Sequence, residues 1–451
     1  MARLDLKIVN GHLATTAGVF PVEIGIKEGK IASIGEWGGL TDADEIMEAK
    51  DKIVLPGGVD THVHSTDPPL DFDLTSQAGA LGGVTTIVDM PFQRPLTTDP
   101  ASFDIKFNSI NPKAYVDFAL WGTCTRENVK TIVPLKEKGV VGYKLVMQDS
   151  VAGIMPHHND GVMCEALEEV KKTGLFATIH AENQDIIRYL ERKLKEEGRE
   201  DPRAFLDNHP LISELEAIHR IIFIAEYIGA RIHIAHCGIG EGIDLVTQAR
   251  KDGQPVTVET CIHYLVLDDS VFDEKGVFPK ISPPLRDRRH VEMMWERIGK
   301  GLVDNVSSDH VPYRLDFKRG NIWEASAGAG GIQTLFPLLI TEGVHKRRID
   351  LPQLVKVMSE GPAKVCGLYP KKGSALVGGD ADFAIFDLKQ VKEVKVEDQV
   401  GLEWSLYEGM KVVYPDTVLV RGRPIVQGGE IVGEAGYGEL CVPEKSHQKS
   451  H

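Results

Sequence analysis

Cysteine is scarce in this sequence, and long apolar segments are absent. Six cysteines occur in 451 residues, and none forms a Cys-x-x-Cys pair, so a disulfide framework is not expected in a chain of this size. No segment approaches the ~20 apolar residues that span a membrane, and the amino terminus lacks the apolar stretch of a signal peptide. These absences predict a cytoplasmic protein with reduced thiols and no membrane partner.

Positive charge is also in short supply. The 51 lysines and arginines are outnumbered by 66 aspartates and glutamates, which gives a net charge of −15. Nucleic-acid binding needs a basic surface, and an anionic membrane attracts basic segments, so neither partner is expected. The hydrophobic content of 42% is ordinary for a globular protein. The length would suit about three domains, or one (β/α)₈ barrel with a small accessory domain.

The middle of the chain alternates short apolar runs with segments long enough for helices. Such alternation predicts a parallel sheet, and eight repeats suggest a closed TIM barrel of the α/β class. The eight predicted strands are 59–64, 85–90, 115–121, 140–146, 175–180, 231–236, 255–261 and 302–309.

Both ends of the chain have a different pattern. Short alternating runs separated by turn residues predict strands before residue 55 and again after residue 380. The simplest arrangement joins the two ends into one small β-sandwich-like domain, with the barrel inserted between them. The predicted divisions are 1–54 and 375–440 for the small domain, 55–374 for the barrel and 441–451 for a polar tail.

His62 and His64 lie two residues apart at the end of the first predicted barrel strand. Residues i and i+2 of a strand point to the same face, so two imidazoles can converge on one point. A metal ion is the usual reason for such a pair. Two polar residues on the wet face of an edge strand would be the plainer interpretation.

Further chemistry-bearing residues fall at the ends of other predicted strands. Lys144, His180, His236 and Asp309 follow this pattern, and the carboxyl ends of barrel strands share one rim. Each has a structural alternative, such as a helix cap or a surface lysine, but together with the two histidines they predict a metal site. Imidazoles and a carboxylate suit zinc or another divalent first-row ion. A carbamate formed from Lys144 and CO₂ could bridge two ions.

Several stretches resemble the cyclic amidohydrolases, the group of hydantoinase, dihydropyrimidinase, allantoinase and dihydroorotase. They are Asp60-Thr61-His62-Val63-His64 and residues 142–144, 180–183, 258–264, 308–310, 379–382 and 407–410. The resemblance covers nearly the whole chain. It implies a TIM barrel with a β-sandwich-like side domain, a small cyclic amide or ureide as substrate and a homotetramer.

The resemblance also implies roles for individual residues. His62, His64 and Asp309 would hold one metal ion, His180 and His236 the other, and carbamylated Lys144 would bridge them. Asp309 would take a proton from the attacking water and pass it to the departing ring nitrogen. The ions would be zinc, with manganese or cobalt as alternatives.

The expected substrate is a hydantoin-like ring, opened to an N-carbamoyl product by an L-selective enzyme, or at least not a D-selective one. In D-selective relatives a tyrosine follows the carbamylated lysine by five residues, and here that position is Asp149. Ser282 matches a residue that binds the ring through its backbone, whereas Ala327 replaces an assisting asparagine.

Other members of the group remain alternatives. The sequences of residues 321–325 and 258–264 resemble allantoinases more than hydantoinases. Dihydropyrimidinase is a weaker alternative. Dihydroorotase is disfavoured because Thr66 stands where similar dihydroorotases have an arginine, although Arg94 could compensate. Some relatives are metal-free scaffold proteins, and the full ligand set speaks against that class here.

Overall fold

The computed structural model of the protein describes residues 3–65, 71–149 and 155–444. The amino-terminal part forms five strands of a small β domain. β1 pairs antiparallel with β2, and β2 pairs with β3, while β4 and β5 run parallel to β1. Their bounds are β1 (Leu4–Thr15), β2 (Gly18–Lys27), β3 (Lys30–Gly35), β4 (Ala43–Glu48) and β5 (Ile53–Pro56).

The next nine strands form a parallel barrel, and their positions follow the eight predicted runs. β8 and β9 lie on either side of Trp121 and together occupy one place in the barrel. A bridge between Val63 and His310 joins the last strand to the first. The bounds are β6 (Gly58–Val63), β7 (Val84–Asp89), β8 (Asp117–Leu120), β9 (Gly122–Thr123), β10 (Tyr143–Val146), β11 (Ala177–His180), β12 (Ile232–Ile234), β13 (Val256–Cys261) and β14 (Asn305–Ser307).

Helices connect the barrel strands. α4 shows why they form: Asn159 caps its first turn by accepting a hydrogen bond from the Val162 amide, and Gly174 ends it with φ of 73°. The helices are α1 (Phe72–Gly82), α2 (Pro100–Ile110), α3 (Leu135–Lys138), α4 (Asp160–Thr173), α5 (Gln184–Glu196), α6 (Ala204–Asn208), α7 (Leu211–Ile228), α8 (Gly240–Lys251), α9 (His263–Val266), α10 (Val271–Lys275), α11 (Arg288–Gly299), α12 (Ile332–Leu338), α13 (Leu351–Val355) and α14 (Gly361–Val365). Within the described ranges, no helix is long and apolar enough to cross a membrane.

The carboxyl-terminal part returns to the small β domain. β15 pairs antiparallel with β5 on one side and with β18 on the other, so the two ends of the chain share one sheet. The predicted fold class is therefore confirmed. The domain limits stay predictions, and the limit at residue 54 falls inside β5. The last strands are β15 (Phe383–Phe386), β16 (Lys392–Glu393), β17 (Lys411–Val412), β18 (Thr417–Val420), β19 (Arg423–Gln427) and β20 (Glu430–Ile431).

A buried cluster of charges joins the barrel to the small domain. The Lys372 ammonium forms ion pairs with Asp117, Asp380 and Asp382, and Arg421 forms a second ion pair with Asp117. Asp117 begins β8, so this cluster lies at the amino end of the barrel, far along the strands from the predicted rim. Because buried charges must be paired, these three carboxylates form an ionic junction around a lysine.

Candidate metal centre

His62, His64 and Asp309 form the first group of potential ligands. His62 lies in β6, His64 follows that strand directly, and Asp309 lies two residues beyond β14. The Asp309 Oδ1 is 3.4 Å from Nε2 of His62 and 3.5 Å from Nε2 of His64. One ligand atom from each residue lies within 4.8 Å of the other two, as a shared metal ion requires.

His180 and His236 form a second group next to the first. His180 ends β11, and His236 lies two residues beyond β12. Nδ1 of His180 and Nε2 of His236 are 2.9 Å apart, close to the ~3 Å that separates two imidazole ligands of one zinc ion. The ring centroids of His62 and His236 are 5.0 Å apart, so the two groups are adjacent.

Lys144 lies within β10 and not at its end, which corrects the predicted position. Its side chain still reaches the rim cleft because alternate residues of the strand point inward. Within the described part of the chain, the buried Nζ atom has no hydrogen-bond partner. Burial lowers the pKa of Lys144 to about 8, although the charges of Asp309 and Glu259 oppose that change.

The buried carboxylate of Glu259 was not assigned a role from the sequence, yet it organises the first group. Its Oε1 accepts a hydrogen bond from Nδ1 of His62 at 2.8 Å and another from the His236 amide at 3.1 Å. Its Oε2 accepts hydrogen bonds from Thr61 and Asn305. The bond to Nδ1 leaves Nε2 of His62 free of a proton and directed at Asp309, as metal-binding histidines require.

The second group is oriented in the same manner. Nε2 of His180 lies 2.7 Å from Oε1 of Gln148 and 2.9 Å from Oε2 of Glu182, which is fully buried. These acceptors hold the proton on Nε2 and leave Nδ1 for a metal ion or for His236. A sequence signal did exist for Glu182 and Glu259, because a carboxylate in or beside a buried strand requires a partner.

Two of the candidate ligands have strained backbones. His236 has φ of 33° and Asp309 has φ of 45°, the left-handed region that side chains other than glycine rarely adopt. Side-chain acceptors hold both turns, since Glu259 binds the His236 amide and Asp60 binds the Ser308 amide. Such strain persists where the surrounding structure enforces it, and it is concentrated at functional sites.

Burial also determines the charge of the imidazoles. It lowers the pKa of His180 to about 3 and the pKa of His236 well below its ordinary value, and the nearby Lys144 ammonium acts in the same direction. The pKa of His62 is lowered by the same two causes. The rings are therefore neutral at physiological pH, which is the form that binds metal ions.

A cleft opens above these residues at the carboxyl rim of the barrel. Ser282 lies in its wall, as do Ala327 and Asp149, whose carboxylate pairs with His157 and Arg188. The lining comprises His62, His64, Phe92, Lys144, Val146, Gln148, Asp149, His180, His236, Ile281, Ser282, Asp309, Val311, Tyr313, Ala327 and Gly328.

Of the two residues considered for substrate charge, only Arg94 belongs to the described part of the chain. Arg94 is exposed and is not part of the cleft lining. Thr66, on which the case against dihydroorotate depended, is outside the described residues, as is the neighbouring Asp67. Among the described residues, no arginine lines the cleft.

The barrel and its rim define a class of protein: a TIM-barrel protein with candidate metal-binding groups at the carboxyl ends of the strands. The model of the amidohydrolase family matches residues 53–425. The chain belongs to the amidohydrolase family, which confirms the resemblance stated above.

Named relatives narrow the comparison. The L-hydantoinase of Paenarthrobacter aurescens is 34% identical over 456 residues, which cover 99% of each chain. An allantoinase of Escherichia coli is 36% identical over 388 residues, which cover 84% of this chain and 85% of the relative. A solved L-hydantoinase from Arthrobacter aurescens superposes with a TM-score of 0.95 at 34% identity, covering 97% of this chain and all of the other. A solved D-hydantoinase gives 0.91 at 31% identity, covering 97% of this chain and 98% of the other.

Proposed function

We propose that this protein hydrolyses the cyclic amide bond of a hydantoin-like ring and releases an N-carbamoyl product. The observation that carries the proposal is the convergence on a single cleft of four histidines, one aspartate and Lys144, whose Nζ has no hydrogen-bond partner among the described residues. Similarity to an L-hydantoinase along almost the full length of both chains supports a hydantoin as the ring. Allantoin is the second candidate, supported by the allantoinase relatives.

The donor set suits two divalent cations, with zinc first and manganese or cobalt as alternatives. His62, His64 and Asp309 would hold one ion, His180 and His236 the other, and a carbamate on Lys144 would lie between them. When bound, two such ions acidify a water molecule and polarise a carbonyl oxygen. Two observations support this assignment: Nζ of Lys144 has no hydrogen-bond partner in the part of the chain that the structure describes, and the imidazoles are neutral and oriented.

The protein's own groups would then bind the ring and move the proton. The backbone at Ser282, in the wall of the cleft, would position the ring. Asp309 would accept a proton from the attacking water and deliver it to the leaving nitrogen. Burial opposes ionisation of Asp309, but a hydrogen bond from His64 favours it, and the pKa of Asp309 lies well below its ordinary value, so the side chain is a carboxylate at neutral pH.

Removal of metal is expected to abolish hydrolysis. Chelation followed by desalting should leave an inactive protein, and zinc, manganese or cobalt should restore the rate. Without bound cations, nothing would acidify the attacking water or polarise the ring carbonyl oxygen. The rate and the metal content per chain are measured together, with metal-saturated chelator as the control. Active protein with far less than one metal ion per chain would refute the proposal.

A neutral ring is expected to react much faster than dihydroorotate. The carboxylate of dihydroorotate needs a charged partner once it leaves water, and no arginine of the described residues lines the cleft, whereas Asp149 does. A missing partner costs about 3–5 kcal/mol, a penalty of roughly 10²–10³-fold or more in kcat/KM.

The measurement is kcat/KM on one metal-loaded preparation for hydantoin, L- and D-5-benzylhydantoin, allantoin, dihydrouracil and dihydroorotate. The highest value among the neutral rings identifies the substrate class and its stereochemistry. If dihydroorotate reacts as well as the best neutral ring, the charge argument is wrong, and Arg94 becomes the first residue to replace.

A homotetramer and a cytoplasmic location complete the proposal. α7 presents exposed apolar side chains, with Phe223 68% and Tyr227 85% exposed, and exposed apolar surface of this kind favours self-association. The six cysteines are all unpaired, which suits a reducing compartment. Sedimentation equilibrium would measure the mass of the assembly.

A further inference from the structure

Two lysines, the buried Lys318 and the half-buried Lys280, hold the wall of the cleft that faces the candidate ligands. Nζ of Lys280 donates hydrogen bonds to the carbonyl oxygens of Ile322 and Ala325, at 2.6 Å each. Nζ of Lys318 donates to the carbonyl oxygens of Phe278 and Lys280, at 3.1 Å each. The two side chains thus tie residues 278–280 to residues 318–325 in both directions.

These ammonium groups are satisfied by backbone oxygens. Among the described residues, no carboxylate lies within 4.0 Å of either Nζ atom. Lys318 is only 3% exposed, and its Nζ lies 5.1 Å from the ring centre of Trp404. Burial lowers the pKa of Lys318 well below its ordinary value, and the charge of Lys280 acts in the same direction. Burying this polar group without an ionic partner is costly, so its presence calls for a reason beyond stability.

The tied segments continue directly into the substrate wall. Ile281 and Ser282 follow Lys280, and the Gly328 amide donates to the Lys280 carbonyl oxygen at 2.9 Å. The second segment extends in both directions to cleft residues, from Tyr313 to Gly328. Its start is held as well, because the Trp404 indole donates a hydrogen bond to the carbonyl oxygen of Tyr313 at 2.7 Å. The cleft residues at both ends of the 313–328 segment therefore depend on bonds that meet around the two lysines.

We propose that Lys280 and Lys318 are positioning residues that preorganise this wall, residues 281–282 and 327–328, for the ring of the substrate. Neither lysine lines the cleft, so both act through the backbone that they hold. A wall held in the binding geometry avoids the ordering cost that a loose segment would incur when substrate binds. The substrate part of this inference rests on the proposed function.

The test replaces each lysine by methionine, which keeps the length and apolar stem of the side chain. Lys280→Met leaves two carbonyl oxygens without their lysine donor, and we expect KM to rise about tenfold with kcat and metal content unchanged. Lys318→Met should change KM in the same direction. Hydrogen–deuterium exchange in peptides covering 313–328 should become faster in both variants.

Lys356→Met is the matched control. Its Nζ also donates to a backbone carbonyl oxygen, that of Gly301 at 3.1 Å, but it does not line the cleft. We expect it to leave KM and exchange at 313–328 unchanged. A fall in kcat with unchanged KM in Lys280→Met and Lys318→Met would indicate general destabilisation and overturn the positioning role.

The two proposals can fail separately. If the unmodified protein hydrolyses none of the cyclic amides, the proposed function is wrong, and exchange at 313–328 still decides whether the lysines order the wall. If the unmodified protein is active but neither variant changes KM or exchange, the positioning role of the two lysines is refuted and the proposed function stands.

Discussion

Replacement of Lys144 by alanine is expected to remove bound metal and abolish hydrolysis. Lys144 is buried beside both groups of histidines, and among the described residues its Nζ has no hydrogen-bond partner. Burial lowers its pKa to about 8, so the neutral amine that reacts with CO₂ is accessible near neutral pH. The carbamate would supply two oxygens, one for each cation, and its loss leaves two positive ions without a bridging anion.

Further measurements on Lys144 variants distinguish a carbamylated Lys144 from an unmodified lysine. Short carboxylic acids such as acetate should partly restore metal and activity in Lys144→Ala, because they can supply the missing anion. Lys144→Arg should be inactive, since arginine cannot form this carbamate. Carbon-13 NMR after incubation with labelled bicarbonate should give a carbamate signal that is absent from Lys144→Ala.

The control is Lys136→Ala, which removes an exposed lysine from α3 and should keep its metal. Full activity in Lys144→Arg would refute the carbamate. Full metal content together with full activity in Lys144→Ala would refute any role for this side chain at the metal centre.

Replacement of Asp309 by asparagine is expected to lower kcat by at least ~10²-fold, the lower end for general acid–base catalysis. Asparagine keeps the shape of the side chain and one potential ligand oxygen, but it has no basic carboxylate to accept a proton. Asp309 contacts both His62 and His64, so metal content must be measured on the same sample. Rates are compared at equal metal occupancy.

Asp185→Asn provides the matched control, because Asp185 is exposed in the first turn of α5 and is not part of the cleft lining. It should retain the rate of the unmodified protein. A near-normal kcat in metal-loaded Asp309→Asn would mean that the proton moves by another route, while the ligand role of Asp309 could still hold.

The sequence was sufficient to predict the barrel strands and most of the candidate residues at the carboxyl rim. Strand alternation is a local property, so the spacing of His62 and His64 already placed both side chains on one face. The parallel order of the strands then brought His180 to the same end of the barrel. The prediction for Lys144 was less accurate, because a side chain inside a strand can reach the rim as well as one at its end.

The sequence by itself determined the alternation of strands and helices, the return of the chain end to the small domain and the identity of the candidate ligands. Only the tertiary structure decided which groups orient those ligands. Glu259 and His62 are 197 positions apart, and Lys318 reaches carbonyl oxygens 38 and 40 positions away. Hydrophobic periodicity depends on neighbours along the chain, whereas the partner of a buried charge depends on which distant segments pack around it. A sequence therefore indicates that Glu259 and Lys318 need partners, and only the packed fold determines what those partners are.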